Sequence, residues 1–204
     1  MTDMQRLTRQ YYADHAISYA NSTYQVDMKE LYQIFIDNLP DSNQHILDIG
    51  CGSGRDAAHF ANLGYKVMAI DGSQTLVDWA ESHYNEQVEW QCMTFEQTPF
   101  QVWYKRFTGI WACASLLHVP YVELPFLFNN LLNTLKDNGV FYASFKYGDS
   151  ERIDEGRFFC DMNEARIDKI IASLDNSITL MTWITEDQRA NISKKWLNLM
   201  IKKA

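Results

Sequence analysis

The chain has 204 residues, 47% of them hydrophobic and 22% charged, with a formal net charge of −8. That length suits one α/β unit with a sizeable core. The acidic balance argues against a large nucleic-acid footprint, which needs clustered Lys and Arg, and no apolar run approaches the ~18 residues needed to cross a bilayer.

Taken in chain order, the elements alternate. Residues 4–20 predict an amphipathic helix carrying Tyr11, Tyr12, Ile17 and Tyr19, and residues 27–39 a second helix closed by Pro40. A strand over 45–49 is followed by a glycine-rich turn and a helix that begins near Ala57. A second strand covers 66–70, and a helix over 74–83 is capped by Ser73. A third strand spans 88–91 and a fourth 108–112. A helix over 121–135 leads through the turn Lys136-Asp137-Asn138-Gly139 into a fifth strand, 140–145. The last helix covers 163–174. Residues 178–184 and 196–201 then read as a terminal antiparallel pair flanking a polar connection. This alternation argues for a mainly parallel sheet with helices on both faces. Lys194, Lys195, Lys202 and Lys203 read as a solvated strand edge. Cys51, Cys92, Cys113 and Cys160 are far apart and form no C-x-x-C pair; they read as reduced thiols of a cytoplasmic protein, not as a zinc site or disulfide framework. The first six residues lack the apolar segment of a signal peptide.

The most informative stretch is Ile46-Leu47-Asp48-Ile49-Gly50-Cys51-Gly52-Ser53-Gly54-Arg55-Asp56. An apolar strand ends near an acid, and three glycines spaced two apart then make a tight turn that a Cβ would block. The following helix N-terminus offers unpaired N–H groups. The spacing G-x-G-x-G departs from the dinucleotide fingerprint G-x-G-x-x-G, with Arg55 where its third glycine belongs, and no Gly-Lys-Ser/Thr follows to make a phosphate loop. A second acid, Asp71, ends the run Lys66-Val67-Met68-Ala69-Ile70-Asp71, at the end of the second strand and about 20 residues beyond the glycine loop, where such folds carry a ribose-binding acid. Its two oxygens suit two ribose hydroxyls.

These residues resemble motif I and the acid-bearing second strand of the class I S-adenosylmethionine-dependent methyltransferases. Residues 109–120, including Ala114, Ser115 and His118, are similar to that family's motif IV, and residues 138–145 to its later strand motif, with Asn138 replacing a glycine. The resemblance covers nearly the whole chain and is closest to the compact group that includes tellurite-resistance-type and thiopurine-type enzymes. It implies an α/β, Rossmann-like seven-stranded sheet of order 3-2-1-4-5-7-6 with strand seven antiparallel. It also implies a single domain over 1–204, in which residues 1–40 form a helical lid over a 41–204 core. The implied cofactor is S-adenosyl-L-methionine, leaving as S-adenosyl-L-homocysteine. Its implied binding residues are Tyr19, Asp48, Gly50, Cys51, Gly52, Gly54, Arg55, Asp71, Gly72, Ser73, Met93, Thr94, Phe95, Ala114 and Ser115. The family often has an acid after strand three for the adenine amino group; Cys92 cannot replace it, which leaves the backbone of Met93 and Thr94 and apolar contact from Met93 or Phe95.

The implied reaction is an in-line transfer of a methyl group to a small molecule, in which the protein supplies positioning and exclusion of water. His118, just past strand four, is the candidate base, and Tyr11, Tyr12, His118, Lys146, Tyr147 and Arg157 are candidate substrate contacts. A loop with Gly148 and Gly156 between strand five and the last helix reads as mobile and substrate-selecting. An Asp/Asn-Pro-Pro-aromatic motif of DNA amine methylation is missing at Ala114-Ser115-Leu116-Leu117, as is a Pro-Cys pair for cytosine methylation. The expected partners are therefore a small molecule, no nucleic acid and no membrane, with the chain a monomer or homodimer and no metal. A cofactor-binding subunit without catalysis, a protein-side-chain methyltransferase and a nicotinamide oxidoreductase are the alternatives.

Overall fold

The computed structural model describes residues 3–40, 44–84, 87–175, 177–189 and 194–204. A seven-stranded sheet forms its centre, built from β1 (His45–Ile49), β2 (Lys66–Asp71), β3 (Val88–Cys92), β4 (Phe107–Ala112), β5 (Leu135–Lys146), β8 (Ser177–Glu186) and β9 (Lys195–Lys203) in the order β3-β2-β1-β4-β5-β9-β8. The first five strands run parallel, and β9 pairs antiparallel with both β5 and β8. The expected order and the antiparallel strand are present. The polar connection between β8 and β9 lies partly outside the described residues.

Alternation along each strand divides the sheet into two apolar faces. Leu47, Ile49, Met68, Ile70, Ile110, Phe141 and Leu199 belong to one buried cluster, beneath α5 (Leu124–Thr134) and α6 (Glu164–Ile171). Ile46, Val67, Ala69, Trp111, Tyr142 and Met200 belong to the other, with Tyr32 and Phe35 of α2 (Lys29–Asp37) and Phe60 of α3 (Arg55–Asn62). Strands covered on both sides carry near-continuous apolar runs, as the parallel ones here do. The remaining helices are α1 (Asp3–Thr23) and α4 (Gln74–His83). Among the described residues no helix is long and apolar enough to cross a membrane.

Several expectations need correction. The segment read as a mobile loop after β5 is a hairpin of β6 (Glu151–Asp154) and β7 (Arg157–Cys160). Glu155 and Gly156 both take positive φ, 51° and 78°, in a two-residue connection, a backbone that matches the twist of paired strands. Phe158, Phe159 and Cys160 anchor the hairpin in the core. The helix expected over 121–135 is a 3-10 turn, Tyr121–Glu123, followed by α5, because Pro125 occupies the first helical turn. Lys203 is not solvated: its ammonium donates to the carbonyl of Leu135 at 2.8 Å and is buried. Asn138 takes the left-handed φ of 65° expected for a glycine substitute in the turn before residue 140.

Candidate functional site

Parallel strands bring their C-terminal ends to one edge, where the connections leave a crevice. Gly50, Gly52 and Gly54 all adopt positive φ, at 77°, 54° and 76°, so the residue type expected for the turn serves the conformation it was chosen for. The three then differ. A Cβ on Gly50 would stand 2.3 Å from Cβ of Ser115, so β1 and the end of β4 approach too closely for any side chain. A Cβ on Gly52 would meet the ring of Tyr19 at 3.3 Å. Gly54 faces inward, where a Cβ would strike Trp90 and Ala80 at 2.6–2.7 Å; its role is close helix–sheet packing, and it is not among the residues that line the crevice.

Helix α1 crosses this edge as a strap, packing on α4 at one rim and on β7 at the other. Its apolar grip is small: Ala16 and Ala20 meet Leu76, with Tyr12, Tyr19 and Trp79 beside them. At the β7 end the backbone N–H of Phe158 donates to Thr8 Oγ1 at 2.9 Å. Two cavities lie under the strap. The smaller, about 120 Å³, is lined by Thr8, Arg9, Asp71, Gly72, Ser73, Leu76, Met93, Thr94, Phe95, Glu96 and Ser115. The larger, about 610 Å³, runs between Cys51, Ser53 and Arg55 on one side and Lys146, Arg157, Phe159 and Trp196 on the other. Tyr12, Tyr19, Gly50, Gly52, Ala114 and His118 line both. These six residues form the boundary through which the cavities meet.

Asp71 sits at the end of β2 on the smaller cavity. Its Oδ2 accepts from the Gly52 N–H and its Oδ1 from the Ser73 N–H, each at 2.9 Å. Burial raises the carboxyl above its usual range, and the two backbone donors oppose this. Each oxygen retains a further lone pair. Asp48 is a different case. Strand alternation turns it to the Trp111 face of the sheet, where it is buried with Oδ2 unpartnered. Burial, Asp56 and Asp71 drive its carboxyl well up. It supports the loop from below and does not line either cavity. Ser115 Oγ is also buried without a partner, on the smaller cavity. The Cys51 thiol, on the larger cavity, is raised by burial and then by Asp71, which leaves it protonated and inert.

His118, at the end of a 3-10 turn after β4, has both ring nitrogens engaged. Nδ1 lies 2.6 Å from the Phe158 carbonyl and Nε2 lies 2.9 Å from the Tyr12 hydroxyl. A carbonyl can only accept, so Nδ1 carries the proton, and the neutral ring accepts from Tyr12 through Nε2. Burial lowers its pKa to about 4, with Arg157 and Lys146 adding to the effect against the Phe158 carbonyl. Tyr12 is buried and its phenol is raised, chiefly by desolvation and by Tyr19, with Arg157 opposing. The Tyr19 phenol is likewise raised, to about 12, by burial.

The other expected substrate contacts separate. Lys146 and Arg157 line the larger cavity. Tyr11 does not line it; its ring lies 4.3 Å beneath the Arg157 guanidinium and stacks on His15. Tyr147 faces away, 41% exposed, with its hydroxyl donating to Glu164 at 3.0 Å. Arg55 rims the larger cavity, but its Nε and Nη2 donate to Asp56 and its Nη1 to the Thr23 carbonyl. Asp56, unremarked in the sequence, is the buried hub of this corner and also accepts from the Tyr32 hydroxyl and the Trp111 Nε1–H. Trp196, Asn198 and Arg189 of the terminal strand region line the cavity too; no local pattern marks them, because only the antiparallel return of β9 carries them there.

His45, on β1 at the far end from the site, offers a test of burial. Its Nε2 is buried and unpartnered, and desolvation, then Arg106, lowers its pKa to about 4. An unfolded histidine titrates near 6.5, so between 6.5 and 4 the unfolded state binds more protons and stability falls as pH falls, by up to about 1.4 kcal/mol per pH unit. The Tm advantage of His45→Phe over the parent is expected to grow as pH drops from 6.5 to 4. Parallel Tm curves for the two proteins would contradict this account.

Comparison with known proteins agrees with this architecture. Residues 46–139 match the model of the methyltransferase domain family, and together with the similar solved structures this supports a class I S-adenosylmethionine-dependent methyltransferase. It is 31% identical over 111 residues to the biotin biosynthesis bifunctional protein BioHC of Cellvibrio japonicus, covering 53% of this chain and 21% of that one. It is 34% identical over 104 residues to the ubiquinone biosynthesis O-methyltransferase of Coxiella burnetii, covering 50% of this chain and 43% of that one. The matched region thus spans less than half the length of these curated relatives. In fold, the chain is similar to a Burkholderia thailandensis 1,6-didemethyltoxoflavin-N1-methyltransferase solved with S-adenosylhomocysteine, at TM-score 0.77 and 17% identity, covering 100% of this chain and 92% of that one. It is also similar to magnesium protoporphyrin IX methyltransferase from Synechocystis PCC 6803 with bound S-adenosylmethionine, at TM-score 0.72 and 18% identity, covering 100% and 99%.

Proposed function

We propose that this protein transfers the methyl group of S-adenosylmethionine to a small molecule, with cofactor and acceptor entering from the two cavities that share Tyr12, Tyr19, Gly50, Gly52, Ala114 and His118. The shared boundary is the observation that carries this reading. A transfer between two bound molecules needs two chambers that meet over a short, dry contact, with reacting atoms held in line.

The residues suit the cofactor. Asp71 has lone pairs left for two ribose hydroxyls, and the unpartnered Ser115 Oγ lacks a hydrogen-bonding neighbour in the same cavity. Met93 and Phe95 offer apolar contact to a purine, with the backbone of Met93 and Thr94 beside them. The glycine turn, closed to any side chain, faces the amino-acid part. When bound, the cofactor supplies a methyl carbon whose bond to the sulfonium breaks as an acceptor lone pair forms the new one, leaving a neutral thioether. For a protic acceptor, Tyr12 takes the departing proton on its oxygen as it passes its own to His118 Nε2. The raised phenol does not stand ionised in advance; it relays. The strap α1 excludes water from that contact.

Isothermal titration with S-adenosylhomocysteine and a metabolite screen with isotopically labelled methyl donor test the reading. Tight binding with label transferred to a small molecule supports it; no binding sinks it. Asp71→Asn is expected to weaken S-adenosylhomocysteine by about 10- to 100-fold, the worth of charge-assisted hydrogen bonds at roughly 1.5–3 kcal/mol. A change below threefold would take Asp71 out of the cofactor site.

A further inference from the structure

The ring of Phe159, at the wall of the larger cavity, gathers three cations. Lys146 Nζ lies 3.4 Å from its centroid, Arg152 at 4.9 Å and Arg157 at 5.3 Å. Two of them have carboxylate partners: Arg152 pairs with Asp161 and Asp154, and Arg157 with the exposed Glu155. Two further acids line this wall: Asp187, which is taken by Arg189 and Trp196, and Glu186. Lys146 has no carboxylate within ion-pair distance among the described residues, and Arg157 Nε is buried without a partner. Burial, Lys194, Arg152 and Arg157 pull the Lys146 ammonium down to about 8.

Like charges crowded into a half-buried wall repel, and unpartnered donors there carry a desolvation cost. An anion placed between Lys146 and Arg157 relieves both. The chain as a whole is acidic, at −8, so a general attraction for anions does not explain an anion preference at this wall. The aromatic floor, with Phe159 below and Trp196 in the same cavity, suits an organic rather than an inorganic anion.

We propose that the acceptor is a small organic acid, anchored through its anionic oxygens by Lys146 and Arg157, so that a separate hydroxyl or amine of the same molecule faces Tyr12 and His118. This rests on the methyl-transfer reading above and adds the substrate class to it. Lys146 and Arg157 are binding groups in this assignment and take no proton.

The probes are 4-hydroxybenzoate and 4-hydroxybenzamide, which share a ring and a hydroxyl and differ in charge at the anchor. They are titrated into the full chain saturated with S-adenosylhomocysteine, whose own binding is measured first. The acid is expected to bind at least tenfold more tightly than the amide. Lys146→Met should reduce that ratio to about twofold while S-adenosylhomocysteine affinity holds, and Lys146→Arg should keep it. Equal binding of acid and amide, or a ratio that survives Lys146→Met, overturns the proposal with the cofactor reading intact. Failure of S-adenosylhomocysteine to bind at all overturns both.

Discussion

Replacing Asp56 with alanine is expected to destabilise the protein by about 3–5 kcal/mol, as removal of one partner from a buried ion pair does. Asp56 is 6% exposed and accepts from Arg55 Nε at 2.6 Å, from Arg55 Nη2 at 3.0 Å and from Trp111 Nε1 at 2.8 Å, with the Tyr32 hydroxyl as a further donor. Burial pushes its carboxyl up, yet Arg55 and the two neutral donors, Tyr32 and Trp111, outweigh that and hold it below the usual carboxylate range. Alanine would strand the Arg55 guanidinium, whose side chain is only 17% exposed, together with two buried neutral donors. The loss lands on the joint between α2, α3 and β4, and also on the α1 terminus, since Arg55 reaches the Thr23 carbonyl. Urea unfolding measures the effect directly. A loss under 1 kcal/mol would show that the hub relaxes or hydrates. The double variant Arg55→Met with Asp56→Leu should recover part of the loss, because the stranded cation is then gone.

Tyr12→Phe and His118→Gln are each expected to lower kcat by about 100-fold or more for a protic acceptor, the usual contribution of a positioned acid–base group. The two act as one unit, since the sole acceptor nitrogen of His118 is occupied by the Tyr12 hydroxyl. Their double variant should therefore be little worse than either alone. S-adenosylhomocysteine affinity should change by only a few fold, because neither residue replaces the Asp71 contacts. The pH profile supplies a separate reading. An imidazole with a pKa near 4 stays neutral throughout the range 5–8, so kcat should show no acid limb centred near 6.5. Such a limb in the parent protein, lost in His118→Gln, would mean the ring titrates freely and the hydrogen-bonded pair is not its working state. Equal losses in kcat and in cofactor affinity would reduce both residues to structural support.

Much of this was open to reading in one dimension, for a physical reason. A glycine turn demands positive φ and close approach, and those demands are local; Gly50, Gly52 and Gly54 announce them without any partner being known. Strand periodicity and the Ser73 cap are local in the same sense, and the cap hydrogen bond to Leu76 is present. The Glu155-Gly156 turn is equally local in its backbone demands, but the charged residues on either side of it mask the strands it joins.

What no stretch of sequence could decide were the meetings between distant elements. Tyr12 and His118 are 106 positions apart and become a pair only because α1 crosses the sheet edge. Gly54 looks like its two neighbours in the motif, yet Trp90 and Ala80 claim it for packing. Asp48 and Asp71 share one face of the sheet by register, but Asp48 lies one residue inside the end of β1 and is buried, whereas Asp71 is the last residue of β2 and reaches the crevice. Lys146 and Arg157 are candidate substrate contacts in the sequence, but their gathering on one ring depends on the β6–β7 hairpin, which brings Phe159 to both. The chain's own pattern determined the sheet, its turns and the glycine cradle, since those obey nearest-neighbour sterics. Partner, burial and protonation state were set by tertiary structure, because each depends on groups that only the closed fold brings within a few ångströms.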